Sequence, residues 1–131
     1  MRQAIYDYIK GLTLGTFSVT NELPWDENGT PLYLKNFKRI YVDRDQTAEE
    51  PTYLTMDGSV VLNTETTTVR VYFTTDAKQL PSNYDSLVST IKLGKHTTDI
   101  EDVNRRECDV ATSFENDSMI TEFEFRFTKL T

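Results

Sequence analysis

The sequence predicts an α+β fold: a mixed, mainly antiparallel sheet with two helices packed on one face and a projecting β-hairpin. Three observations carry that expectation. Thr66–Thr74 and Thr121–Phe127 alternate apolar and polar residues with period two. Arg2–Lys10 and Ser82–Leu93 carry apolar residues at helical spacing. Asp57-Gly58 sits between two strand-like runs and suits a two-residue hairpin turn, where both positions need positive φ.

In chain order, Arg2–Lys10 sets Ala4, Ile5, Tyr8 and Ile9 on one side, and Gly11 can end the helix. Leu14–Thr20 alternates through Phe17 and Val19 as a first strand. Asn21–Pro31 concentrates Pro24, Asp26, Asn28, Gly29 and Pro31 and reads as loop. Phe37–Arg44 is a second strand with Ile40 and Val42 on one face and Arg39, Tyr41 and Asp43 on the other. Gln46–Pro51 is polar and acidic, and the hairpin arms Thr52–Met56 and Ser59–Asn63 follow it.

In Thr66–Thr74, Val69, Val71 and Phe73 point one way and Thr68, Arg70, Tyr72 and Thr74 the other. Pro81 and the short polar residues beside it give helix-start signals, and Tyr84, Leu87, Val88 and Ile91 follow at i, i+3, i+4 and i+7 before Gly94. His96–Arg106 is charged and reads as an exposed connector. Glu107–Phe114 and Ser118–Leu130 form a terminal hairpin, with Cys108, Val110 and Phe114 inward on the first arm and Phe123, Phe125 and Phe127 inward on the second. Three aromatics in step bury several hundred Å² at ~150–250 Å² each.

The 131 residues fit one domain, spanning 1–131. Fourteen basic and twenty-one acidic residues leave a net charge of −7, which argues against a general phosphate-binding surface. The start Met1-Arg2-Gln3-Ala4 lacks the apolar run of a signal peptide, and no run approaches the ~18 residues that span a bilayer, so a soluble protein, intracellular at synthesis, is expected. A lone cysteine, Cys108, forms no internal disulfide.

Catalytic, cofactor and metal sites are not expected. His96 is the only histidine and reads as a loop residue. Cys108 lies between Glu107 and Asp109, which disfavour a thiolate, and reads as a core thiol. The acidic groups Asp43, Asp45, Glu49, Glu50 and Asp99, Glu101, Asp102 lack the spacing of a calcium loop. No phosphate-cradling glycine motif or nucleophile elbow occurs. The chemistry that remains belongs to surfaces. Trp25, Tyr41, Tyr72, Tyr53, Leu54 and Met56 are candidate partner contacts, with ordinary packing on the second sheet face as the alternative. The outward residues Arg70, Glu122, Glu124 and Arg126 extend the candidate surface.

The element order resembles the lambda-type tail terminator family of long-tailed (siphovirus) bacteriophages. The resemblance rests on the helix Arg2–Lys10, the strand Phe37–Val42, and Val69-Arg70-Val71-Tyr72-Phe73 leading through Asp76–Pro81 into the helix Ser82–Leu93, with the hairpin Cys108–Phe127 at the end. It implies a non-enzymatic virion protein at the head-proximal end of the tail, assembled in host cytoplasm. It also implies a homo-hexameric ring that caps the tail tube, ends polymerisation of the major tail-tube protein and offers its other face to a head-completion or neck protein. DNA would cross the lumen in transit only, without specific binding and with no membrane involved. Two other readings stay open from the residues: a head-completion or neck connector of the same virion, and a small ligand-binding or hydrolytic domain using His96 with a carboxylate from Asp99–Asp102.

Overall fold

Alternation in two strands and helical periodicity in two segments translate directly into the architecture of a computed structural model, which describes residues 1–54, 57–58 and 60–130, with the backbone alone at 52–54, 60 and 61. Helix α1 (Arg2–Lys10) is followed by strand β1 (Ser18–Thr20) and, after a 3-10 turn at Leu32–Leu34, by β2 (Arg39–Val42), β3 (Gln46–Leu54) and β4 (Val60–Asp76). Helix α2 (Tyr84–Lys92) runs into a second 3-10 turn, Leu93–His96, and the chain ends on β5 (Arg105–Glu115) and β6 (Ser118–Leu130). All six strands form one sheet in the order β1-β2-β4-β6-β5, with β3 also on β4. Among the described residues only β1 and β2 are parallel; every other pair is antiparallel.

Period-two alternation in β4 and β6 gives the sheet two different faces. Val69, Val71, Phe73, Phe123, Phe125 and Phe127 are buried on the first, together with Ile40 and Val42 from β2 and Cys108 from β5. Both helices cover this face, burying Ile5 and Ile9 of α1 and Leu87 and Ile91 of α2. Phe123, Phe125 and Phe127 stack in sequence at 6.5 Å between ring centroids. The Tyr8 hydroxyl donates to the Thr90 carbonyl at 2.7 Å and ties one helix to the other. The Tyr8 ring also lies against Gly94, where a Cβ would come within 2.9 Å of it.

β2 and β3 follow one edge of β4 as a single bent strand. Val42 pairs with Val71 and Gln46 with Thr68, so residues 43–45 face only residues 69–70. One extra residue makes a β-bulge. It turns Asp45 toward the start of α1, where its carboxylate accepts from the N–H of Arg2 at 2.6 Å and from the Met1 ammonium at 2.9 Å.

Gln46–Pro51, polar and acidic and not assigned to a strand from the sequence, belongs to β3. Its residues pair with Asn63–Thr68 of β4, and both faces there are polar, so no hydrophobic period marks the segment. β6 reaches along β4 only as far as Thr64; beyond it the β3–β4 hairpin continues as two strands, projecting from the sheet. Gly58 at its tip has φ +84°. The first strand and the second are shorter than Leu14–Thr20 and Phe37–Arg44. Phe114 shares the inner face with Cys108 but is 67% exposed, because the β5–β6 hairpin extends past the helices that cover that face.

Candidate functional site

The second face of the sheet brings together most of the surface residues singled out in the sequence, in two patches of opposite character. At the β2 end, Tyr41 and Tyr72 lie side by side in register. The loop between β1 and β2 folds over them: Tyr33 stacks on Tyr72 at 4.7 Å between centroids, 11° from parallel, and Trp25 meets Tyr33 edge-on at 5.3 Å. Ile120 completes this small second core. Burial pushes the hydroxyls of Tyr33, Tyr41 and Tyr72 above the ordinary phenol range, reinforced at Tyr72 by the charges of Glu122 and Asp43.

The loop is held by local chemistry that its turn residues supply. Asp26 accepts from the N–H groups of Asn28 at 2.9 Å and Thr30 at 2.8 Å, bonds that hold its carboxyl below the usual range, and Gly29 takes φ +78°. The Leu32 N–H donates to the Pro24 carbonyl at 2.7 Å, and the Thr74 hydroxyl donates to the Tyr33 carbonyl. Tyr41 and Tyr72 are therefore covered within the subunit, whereas Trp25 remains 40% exposed at the rim.

Toward β5 the same face becomes ionic. Arg126 donates to Glu124 at 2.7 Å, to Glu107 at 3.1 Å and to Asp109. Arg70 lies 3.3 Å from Glu122 and 3.4 Å from Glu124, and donates to Gln46 at 2.7 Å. Glu124 bridges the two guanidiniums, so the chain Glu122–Arg70–Glu124–Arg126–Glu107/Asp109 crosses β4, β6 and β5. Hydrogen bonds to Asp109, Glu124 and Glu107 raise the Arg126 pKa further above its ordinary value. With Arg105 also 2.7 Å from Glu107, three cations among four carboxylates leave the ladder negative, and the Arg126 donor fork is directed wholly at carboxylates.

Arg70, Tyr72, Glu122, Glu124 and Arg126 are thus brought together on one face, with Tyr41 and Trp25 at its apolar end. Met56 and the side chains of Tyr53 and Leu54, also expected as contacts, fall outside the described residues. Glu107 and Asp109, as partners of Arg126, and Tyr33, as the lid over Tyr72, were not singled out from the sequence. Their signal lay in strand pairing, since Glu107 stands opposite Arg126 and Asp109 opposite Glu124.

Elsewhere, His96 is exposed at the end of the second 3-10 turn. Cys108 is buried, and burial pushes its thiol up to about 11. A groove of about 500 Å³ between α1 and residues 99–101 has Asp7, Asp99 and Glu101 on its walls, and His96 does not line it. Among the described residues no group of three His, Cys, Asp or Glu is placed to hold a metal ion, and no described helix is long and apolar enough to cross a membrane. Arg106 donates to the carbonyls of Lys95, Thr97 and Ile100 and fixes the connector into β5. No protein-family model matches the chain, and no curated protein matches it in sequence.

Proposed function

We propose that the chain is a non-enzymatic virion structural protein of the tail-terminator type. It forms a ring of six copies that caps the tail tube, ends addition of tube protein, provides the surface for head attachment and lets DNA pass through its lumen. One observation carries the reading: β4 runs through Asp76–Pro81 into α2, both helices lie on one face, and the chain closes on the β5–β6 hairpin. That is the course of elements on which the family resemblance rests.

Two further features suit the role. The net charge of −7 repels DNA, and Arg70 and Arg126 direct their donors at carboxylates, so the ionic face does not retain phosphate. The projecting β3–β4 hairpin supplies an arm for the heterologous contacts from which cyclic rings are built.

The test is native mass spectrometry of the purified chain with and without tail-tube protein. Six-copy species that engage tubes are expected. A chain that remains monomeric and never associates with tubes overturns the proposal.

A further inference from the structure

β5 is the long, regular edge of the sheet: of the devices that blunt edges it carries charge, but no proline, bulge or shortness. Exposed edges are blunted by proline, charge, bulges or shortness. β1 is three residues long, and β3 carries Glu49, Glu50 and Pro51 with a bulge before it and a register shift after Pro51. β5, by contrast, runs for eleven residues in unbroken register with β6, contains neither proline nor glycine, and has no strand beyond it among the described residues. Its last five residues, Ala111-Thr112-Ser113-Phe114-Glu115, are all exposed.

The order of charges along β5 selects what can pair with it. Against a second, antiparallel copy of β5 centred on Val110, Arg105 stands opposite Glu115, Arg106 opposite Phe114, Glu107 opposite Ser113, Cys108 opposite Thr112 and Asp109 opposite Ala111. Each pair lies on one face of the joined sheet, opposite charges meet at both ends, and no like charges are directly opposed. Sliding the pairing by one step of two residues sets Asp109 against its own copy in one direction and Glu107 against Glu115 in the other. Two steps set Glu107 against Asp109, or Asp109 against Glu115. Among registers within two steps of full overlap, only the full-length one avoids a clash of carboxylates.

The end residues are available for this contact. Arg105 is 72% exposed and uses its Nε on Glu107 at 2.7 Å, leaving its terminal nitrogens without a partner among the described residues. Phe114, 67% exposed on the inner face, would reach the mate's Arg106, whose terminal nitrogens donate to three backbone carbonyls in the guanidinium plane, so that an aromatic ring can stack on the plane's face.

We propose that β5 is a self-association edge, through which two copies join their sheets about a two-fold axis at Val110. The contact is isologous and so is separate from the heterologous contacts of a cyclic ring; it describes chains away from the tube and does not rest on the ring reading.

Sedimentation of the full chain over a concentration series tests it with the variants R105E and E115R. Wild type is expected to dimerise, each variant alone to need about tenfold more protein for the same association, and an equimolar mixture of the two to recover wild-type association, because both end pairs are then opposite in charge. A second measurement is independent of those variants: under oxidation V110C should yield a covalent dimer and S113C should not, since only Val110 faces its own copy. A wild-type chain still monomeric at about 1 mM overturns the proposal. So does association indifferent to R105E, a mixture that fails to recover, or equal crosslinking of V110C and S113C.

Discussion

The carboxylate of Asp45, in the bulge between β2 and β3, accepts the backbone N–H of Arg2 at 2.6 Å. A sheet residue thereby caps a helix distant in sequence, at the end where the helix dipole favours an anion. Asp45→Ala is expected to lower stability by about 1–2 kcal/mol, and Asp45→Asn by less because an acceptor oxygen remains. Urea unfolding of the three proteins checks the order.

The ionic ladder predicts a different pattern. Arg126 is 27% exposed and joins Glu124, Glu107 and Asp109, so Arg126→Met leaves three carboxylates on neighbouring strands to repel one another. A loss of about 1–2 kcal/mol at low salt is expected, shrinking as salt is added because partly exposed charges are screened. Arg126→Lys should restore part of it, since an ammonium keeps the charge and loses the fork. Thermal unfolding at two ionic strengths reads both effects.

Gly94 permits the close approach of α1 to the end of α2. A Cβ there would lie 2.9 Å from the Tyr8 ring and 3.4 Å from Phe125. Gly94→Ala should cost about 1–3 kcal/mol by overpacking, and Tyr8→Leu in the same chain should recover part of it. Denaturant midpoints of the single and double variants measure the coupling.

Cys108 gives a pH signature. Its thiol is raised by burial from 9.0 to about 11, so the folded state holds the proton more tightly than the unfolded state. The associated stability is complete below about pH 9 and is lost as pH rises toward 11. The buried tyrosines, also raised, act with the same sign from about pH 10 upward. Cys108→Ala should therefore flatten the fall in stability between pH 9 and 10 while leaving the steeper loss above it. Unfolding titrations across that range provide the comparison.

How far each feature could be read in advance follows from how local its cause is. Helix α1 has the bounds Arg2–Lys10 read from its periodicity, because Ile5 and Ile9 need a core and the intervening residues do not. Thr66–Thr74 of β4 and Thr121–Phe127 of β6 were legible for the same reason with period two. The continuity of Val60–Asp76, which joins residues of the expected hairpin arm Ser59–Asn63 to Thr66–Thr74 in one strand, was not legible. The strand character of Gln46–Pro51 was not, since its threonine-rich partner strand offers no apolar face to alternate against. Phe114 follows the alternation of β5, yet burial depends on where α2 begins, which the strand itself does not encode. The charges of the ladder were visible on β4 and β6, whereas the union of Arg126 with Glu107 and Asp109 required the register of β5.

Electron microscopy of particles made with and without this chain tests the central claim most directly. Tail terminator action predicts tails of uniform length when the chain is present and overlong tails without heads when it is missing. Tails of normal length in its absence, whether attached to heads or not, would contradict the account.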